Sequence, residues 1–121
     1  MNKSRKQLGE FAEKLAADLL RRKGYRIVVQ NYRCRYGEID IIALDGQTLV
    51  FIEVRAKGST GFGKPQESIG YQKRKKLREV ARYYLTSEVQ KGSSCRFDAV
   101  AVQFETGSLK VRELEHIVDA F

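Results

Sequence analysis

The stretch over residues 37–57, GEIDIIALDGQTLVFIEVRAK, constrains the fold of this chain most strongly. Two runs rich in Ile, Val, Leu and Phe flank the dipeptide Asp45-Gly46, which suits the positive backbone angles of a tight hairpin turn. We therefore predict that residues 38–44 and 48–55 form two antiparallel strands. The remaining elements are expected to pack around this hairpin.

Acidic side chains interrupt both apolar strands. Because side chains alternate between the faces of a strand, Glu38 and Asp40 are expected on one face, with Glu53 and Arg55 on the matching face of the next strand. A two-residue turn would set Asp40 opposite Phe51, whereas a four-residue loop would set Asp40 directly opposite Glu53. Three acids on apolar strands need a compensating partner. Mg²⁺ is one candidate, and ion pairs with the many Lys and Arg side chains at a solvated surface are the other.

Length and charge limit the classes of protein to consider. A chain of 121 residues is long enough for one domain with a modest core, and we expect a single domain over residues 1–121. The formal net charge of +8 favours a polyanionic partner, nucleic acid first and an anionic membrane surface second. No apolar run approaches membrane-spanning length, and residues 1–23 lack the continuous apolar core of a signal peptide. We therefore expect a soluble, cytoplasmic protein.

The rest of the chain predicts an α/β domain with a mixed sheet. The expected elements are helix 4–23, strands 25–32, 38–44 and 48–55, helix 68–89, and strands 96–104 and 108–114. Their order is α-β-β-β-α-β-β. A glycine-bearing loop, residues 58–63 followed by Pro65, lies beside the expected site, and His116 is assigned no chemistry.

Basic residues cluster in two places that suit contacts with nucleic acid. Arg33, Arg35 and Tyr36 interleave bases with an aromatic ring just before the acidic hairpin, a pattern that also occurs on any exposed strand edge. The second helix is densely basic with few acids to balance it, although a solvated helix face is the ordinary explanation of such a run. Its expected contact residues are Gln72, Lys73, Arg74, Lys75, Lys76, Arg78 and Arg82.

The motifs GEIDIIA, FIEVRAK and RFDAVAV, with Gly9-Glu10 in the first helix and a glycine-bearing loop, resemble the YraN family of bacterial proteins along essentially the whole chain. That family is similar to the restriction-endonuclease-like nucleases, whose PD-(D/E)xK signature places one acid on a strand and an acid-x-base tripeptide on the next. Archaeal Holliday-junction resolvases look similar in layout. The resemblance implies a three-layer α/β/α fold with a mixed central sheet.

The resemblance also implies roles for individual residues. Asp40 is similar to the first acid of the signature, Glu53 to the second and Arg55 to the base, while the helix acid of several relatives matches Glu10. The acids would bind Mg²⁺ or Mn²⁺, helped by the backbone carbonyl of Val54.

Two departures from the signature stand out. Ile39 replaces the proline, and Arg55 replaces the lysine. Arginine keeps its proton, so Arg55 would orient water or stabilise phosphate charge, and Lys57 on the same face could act as the base instead. Gln72 and Lys73 look like polar residues that some relatives place at the edge of the site.

Three classes of function follow. The favoured hypothesis is a metal-dependent endonuclease that hydrolyses phosphodiester bonds in DNA, with branched or structured DNA as one substrate class. The alternative is a nucleic-acid-binding module of the same fold without cleavage, and the third is a structural or protein-interaction domain. DNA is expected over RNA, and cleavage of a junction would need two active sites and hence a homodimer.

Overall fold

Two helices and five strands make up the described part of the chain. The computed structural model describes residues 5–57, 70–88 and 94–121. The elements are α1 (Arg5–Arg22), β1 (Arg26–Cys34), β2 (Gly37–Asp45), β3 (Thr48–Lys57), α2 (Tyr71–Glu88), β4 (Cys95–Phe104) and β5 (Val111–Ile117). The predicted α/β class and element order are confirmed.

The strands form one mixed sheet in the order β1-β2-β3-β4-β5. Neighbouring strands are antiparallel except β3 and β4, which are parallel. A parallel pair needs a crossover connection, and α2 lies between these two strands in the chain. The sheet is therefore a meander of three strands joined through a helix to a second hairpin.

Each helix packs on its own face of the sheet, which gives three layers. On one face the small side chains of α1, Ala12, Ala16 and Ala17, allow close approach to a core of buried aliphatic residues that includes Ile41, Ile52, Val100 and Val102. On the other face α2 buries Leu77, Val80, Ala81 and Tyr84 against Ile39, Ile42, Leu49 and Phe51. Each fully buried aliphatic side chain stabilises the fold by about 1.5–3 kcal/mol.

The turn of the β2–β3 hairpin sets the register of the acidic strands. Asp45 pairs with Thr48, so the two central residues are Gly46 and Gln47, one position later than predicted. Gly46 has φ 62°, the conformation that the first position of a type II′ turn requires and that glycine adopts without strain. The ladder continues to Ile41 opposite Ile52. Continued by one step, this register sets Asp40 opposite Glu53, as the second of the two expected registers places them.

Several element bounds differ from the sequence prediction. β1 extends to Cys34, which places Arg33 within the strand and leaves only Arg35 and Tyr36 between β1 and β2. β5 begins three residues later than predicted, because Ser108 belongs to the preceding turn, where its amide donates to the Glu105 carbonyl at 3.1 Å. The predicted loop over residues 58–63 and Pro65 lies outside the described residues.

Neither α1 nor α2 has the length and apolar character that a membrane-crossing helix needs.

Candidate functional site

Asp40 lies where the regular alternation of β2 breaks. Ile41 packs on the α1 side of the sheet, whereas Ile39 packs on the α2 side. On the neighbouring strand, Asn31 has φ 55° between two residues that pair regularly with β2. A non-glycine residue rarely adopts this left-handed conformation, and asparagine is among those that tolerate it. At this point Asp40 interacts both with Glu13 of α1 and with Glu53, which pairs with Lys73 of α2.

A backbone hydrogen bond fixes the Asp40 carboxylate against β3. The amide of Val54 donates to Asp40 Oδ2 at 2.7 Å. The backbone pairing of β3 with β2 ends at Ile52, two residues before Val54. The Asp40 carboxylate therefore accepts the Val54 amide in place of a β2 carbonyl. An N–H bond to an ionised acceptor is short and strong. The Asp40 carboxylate is therefore directed toward Val54, the residue that follows Glu53.

Glu53 is a buried acid beside Asp40. Its residue surface is only 7% exposed, and the Nζ of Lys73 lies 3.5 Å from its Oε2. Burial raises the pKa of Glu53 to about 8, with further contributions from a hydrogen bond to Asp40 and from its charge, while Lys73 and Arg55 act in the opposite direction. Two carboxyl groups can share a hydrogen bond only if one of them carries a proton. With no cation bound, Glu53 is therefore mostly protonated at neutral pH.

Glu13 of α1 is a third acid at this site. Burial raises its pKa, as does the neighbouring charge of Asp40, and its side chain hydrogen-bonds both Asn31 and Asp40. Glu13 takes the position beside Asp40 that we expected Glu10 to take, while Glu10 is exposed to solvent. The carboxylates meet pairwise through Asp40, and within residues 5–57, 70–88 and 94–121 no preassembled group of three acid, histidine or cysteine side chains is positioned to hold an ion.

A helix position distinguishes Glu13 from Glu10. Residues three and four positions apart lie on the same side of a helix. Glu13 lies three and four positions before Ala16 and Ala17, both buried against the sheet, whereas Lys14, four positions after Glu10, is exposed. The pair of small residues was the available signal that Glu13 faces the sheet.

The other predicted strand residues are divided between the site and the surface. Arg55 and Lys57 are half-buried on β3, and the positive charge of Arg55 acts on Glu53. Glu38, in contrast, is exposed and forms an ion pair with Arg33 Nε at 2.9 Å. The solvated ion pair that was one expectation for the strand acids therefore holds for Glu38. Asp40 and Glu53 are the strand acids that come together.

The basic residues of α2 lie outside the apolar stripe that the helix buries against the sheet. Lys73 is directed to Glu53, and Arg74 is half-buried. The other predicted contact residues on this helix, Gln72, Lys75, Lys76, Arg78 and Arg82, are exposed. Positive charge thus begins at the acidic site and is spread over the exposed surface of the helix.

The turn between β1 and β2 lies against the same helix. Adding a Cβ to Gly37 would bring it within 3.3 Å of Val80 Cγ2, so this glycine permits the close approach. The Tyr36 ring lies 5.7 Å from the Tyr83 ring, measured between centroids. The guanidinium of Arg35 covers the Tyr36 ring at 5.0 Å. The predicted interleaving of bases and aromatics therefore extends to the helix.

Comparison with known proteins supports the resemblance. The profile of a family described as "Uncharacterised protein family UPF0102" matches residues 12–102. The chain belongs to this family, the YraN family. UPF0102 proteins of Moorella thermoacetica and Pelotomaculum thermopropionicum are 49% and 45% identical to this chain, and each alignment covers the full length of both sequences. A UPF0102 protein of Caldanaerobacter subterraneus subsp. tengcongensis is 37% identical over 98% of this chain and 97% of its own.

The acid of the RFDAVAV motif lies in a different polar cluster, on the α1 face of the sheet. Asp98 is fully buried and accepts hydrogen bonds from Arg96 Nε at 2.9 Å and from the Asp119 amide at 2.9 Å. His116 Nε2 lies 2.7 Å from its Oδ2. Lys23 Nζ lies 2.9 Å from His116 Nδ1 and can only donate, so the proton of a neutral His116 ring is on Nε2.

This cluster stabilises the fold. Burial by itself would raise the pKa of Asp98, but hydrogen bonds from His116, Arg96 and the Asp119 amide outweigh burial and lower the pKa to about 2. Arg96 also bonds Asp45 at the end of β2. The network therefore connects the β2–β3 hairpin, β4, β5 and the C-terminal residues. The sequence left His116 without a role because its partner lies on another strand.

Proposed function

We propose that the protein is a metal-dependent nuclease that hydrolyses phosphodiester bonds in DNA, with branched or structured DNA as a substrate class. The observation that carries this proposal is the convergence of buried and half-buried acids on Asp40, at the edge of a helix rich in exposed bases. Acids packed together without a cation cost stability, and a fold maintains such an arrangement where a ligand compensates for it.

The donor set fits a hard divalent cation. Asp40 and Glu53 would hold Mg²⁺ or Mn²⁺, with Glu13 as the helix acid and the Val54 carbonyl as a further oxygen donor. Carboxylate and carbonyl oxygens are the ligands that these ions prefer. The bound ion would supply Lewis acidity toward a phosphodiester and lower the pKa of a water molecule. The metal role of Glu10 stays a prediction, with Glu13 the better placed of the two.

The chain's own side chains supply the remaining functions. Lys73 limits the negative charge around Glu53. Arg55 keeps its proton, so it orients the attacking water or stabilises charge on phosphate, and Lys57 is the residue on this strand that could exchange a proton. The exposed bases of α2 hold the phosphate backbone. A cytoplasmic location, DNA in preference to RNA, and a homodimer for junction cleavage remain parts of this proposal.

A nucleic-acid-binding module without cleavage is the second candidate. Arginine in the position of the signature lysine favours it, because arginine does not act as a base at neutral pH. Such a module would need the bases of α2 but neither Asp40 nor Glu53.

A cleavage assay distinguishes the two candidates. End-labelled linear duplex, single-stranded DNA and a four-way junction are incubated with wild type, Asp40→Asn or Glu53→Gln, in Mg²⁺, Mn²⁺ or EDTA. The nuclease proposal predicts cleavage by wild type only with metal, and none by either variant. Glu38→Gln is the matched control, because it removes an exposed acid from the same strand. Binding without cleavage of any substrate, independent of metal and retained by Asp40→Asn and Glu53→Gln, would favour the binding module.

A further inference from the structure

A cavity separate from the acidic site opens beside α2. Its volume is about 460 Å³, and it is lined by Tyr36, Glu79, Arg82, Tyr83 and Thr86. This volume falls within the range of small-molecule sites, about 300–1,000 Å³. Four of the five lining residues come from α2, and Tyr36 comes from the turn between β1 and β2. We call it the tyrosine cavity.

The tyrosine cavity lies on the expected path of a bound strand. At 1.5 Å per helical residue, Tyr83 lies about 15 Å along α2 from Lys73, which pairs with Glu53. The exposed base Lys76 lies three residues after Lys73, and Glu79 and Tyr83 follow at steps of three and four residues, so these positions form one stripe between the two places. A strand whose phosphates follow this stripe from the acidic site would reach the cavity.

Aromatic surface and charge at the cavity suit an unstacked base. The Tyr36 and Tyr83 rings are inclined at 57°, and Tyr36 remains 38% exposed although it is a large aromatic residue. Tyrosine rings of this kind act as stacking surfaces for single-stranded nucleic acid, and adjacent guanidinium groups contact the phosphates. Arg35 over Tyr36 and Arg82 in the wall provide these groups.

Glu79 is the unexpected member of the lining. An acid on a phosphate-binding helix weakens polyanion binding unless it has a separate partner. An ion pair along the helix with Lys75 or Arg82 is the ordinary role of such a residue. Within a base-binding cavity, however, a carboxylate accepts a hydrogen bond from the N4 amino group of cytosine, whereas thymine presents the acceptor O4 at the same position.

We propose that the tyrosine cavity binds one unstacked nucleobase of a DNA strand held on α2, and that Glu79 makes cytosine preferred over thymine. This inference rests on the nucleic-acid-binding part of the proposed function and deepens it, since it makes an unpaired base part of the ligand. Duplex ends, single-stranded segments and branch points all present such a base.

The test compares the binding of oligo-dC and oligo-dT of equal length, measured by fluorescence anisotropy in EDTA at fixed salt. For wild type we expect a dissociation constant for oligo-dT at least about fivefold above that for oligo-dC, the low end for one specific base contact. Glu79→Gln should bring this ratio close to one. Tyr36→Ala should weaken the binding of both oligonucleotides about fivefold to a hundredfold, and Tyr36→Phe should retain it.

Lys76→Gln is the matched control, because it removes an exposed base from the same stripe but outside the cavity lining. It should weaken both oligonucleotides and leave the ratio unchanged. Equal affinity of wild type for the two oligonucleotides, or unchanged binding by a folded Tyr36→Ala variant, would overturn the inference. If either of these results is found while wild type still cleaves DNA with metal, the nuclease proposal stands and only the base-binding inference fails. If the predicted ratio of dissociation constants is found but no DNA is cleaved, only the nuclease proposal is contradicted.

Discussion

Replacing Glu53 with glutamine should change how stability depends on pH. The folded-state pKa of about 8 lies above the ordinary glutamate value of 4.5, so between these two values the folded protein retains a proton that the unfolded chain has released. The free energy of unfolding therefore falls as pH rises through this window, by up to about 1.4 kcal/mol per pH unit. Glutamine is neutral throughout and removes this dependence.

The expected magnitude is large for a conservative substitution. Between about pH 5.5 and about pH 7.5 the stability of Glu53→Gln should rise relative to wild type by about 1–3 kcal/mol. For a domain of this length that corresponds to about 4 °C in Tm per kcal/mol. The glutamine amide can also donate to Asp40, which replaces the shared proton. The variant should thus equal or exceed wild type in stability above neutral pH.

Urea denaturation in EDTA measures this difference in stability. Unfolding is followed by far-UV circular dichroism because the chain contains no tryptophan for fluorescence detection. Titrating groups that do not interact with Glu53 contribute equally to both proteins, so the difference between the two stability curves reports Glu53 together with Asp40, the carboxyl group coupled to it. Glu38→Gln, which removes an exposed acid, should give a curve parallel to that of wild type. A Glu53→Gln curve that is also parallel to wild type would refute the protonation of Glu53 in the folded state.

Three further predictions follow from the same geometry. In a cleavage assay, Arg55→Lys should retain or raise activity and Arg55→Ala should lower it. A stronger loss in Lys57→Ala would identify Lys57 as the base. Two fully active alanine variants would exclude this face of β3 from the mechanism. Reversing Lys75 and Lys76 to Glu should flatten the log-log dependence of duplex affinity on salt by about 0.9 per lost phosphate contact, and an unchanged slope in a salt titration would place the binding surface elsewhere. Asp98→Ala should cost about 3–5 kcal/mol in urea denaturation at pH 7, because it leaves buried partners uncompensated. In wild type the contribution of ionised Asp98 to the free energy of unfolding is fully present above the ordinary aspartate pKa of 3.8 and should be lost only as pH falls toward about 2. A wild type that is unstable at pH 5 would contradict this role of Asp98.

Local patterns were sufficient to predict the elements of this fold. Apolar spacing of 3.6 residues marked both helices, and alternating β-branched residues marked the strands, so the element order is confirmed. The register of the acidic hairpin was left between two alternatives. It depends on which residue takes the first turn position, and Gly46 takes it together with Gln47 rather than with Asp45. A shift of one residue in the turn decides whether Asp40 faces Phe51 or Glu53.

Long-range contacts limited the prediction of the site. The strand acids were predicted because they interrupt apolar runs, but the helix acid was placed at Glu10 when Glu13 is the residue beside Asp40. Glu10 and Glu13 are acids one turn apart on the same helix, and the choice between them depends on how α1 lies on the sheet, for which Ala16 and Ala17 after Glu13 were the local signal. The contact between His116 and Asp98 joins two strands through tertiary packing, which no local pattern in either strand encodes.

The most direct test of the central claim, that acids converging on Asp40 bind a divalent cation, is a thermal melt with and without millimolar Mn²⁺. For wild type at a Mn²⁺ concentration of about ten times Kd, binding should stabilise the fold by about 1.4 kcal/mol and raise Tm by about 5 °C. Asp40→Asn keeps an acceptor for the Val54 amide but loses a charged ligand. Its Tm without metal should equal or slightly exceed that of wild type, and Mn²⁺ should no longer raise it. A wild type that shows no Mn²⁺-dependent shift, together with an Asp40→Asn variant that is less stable than wild type, would contradict the account.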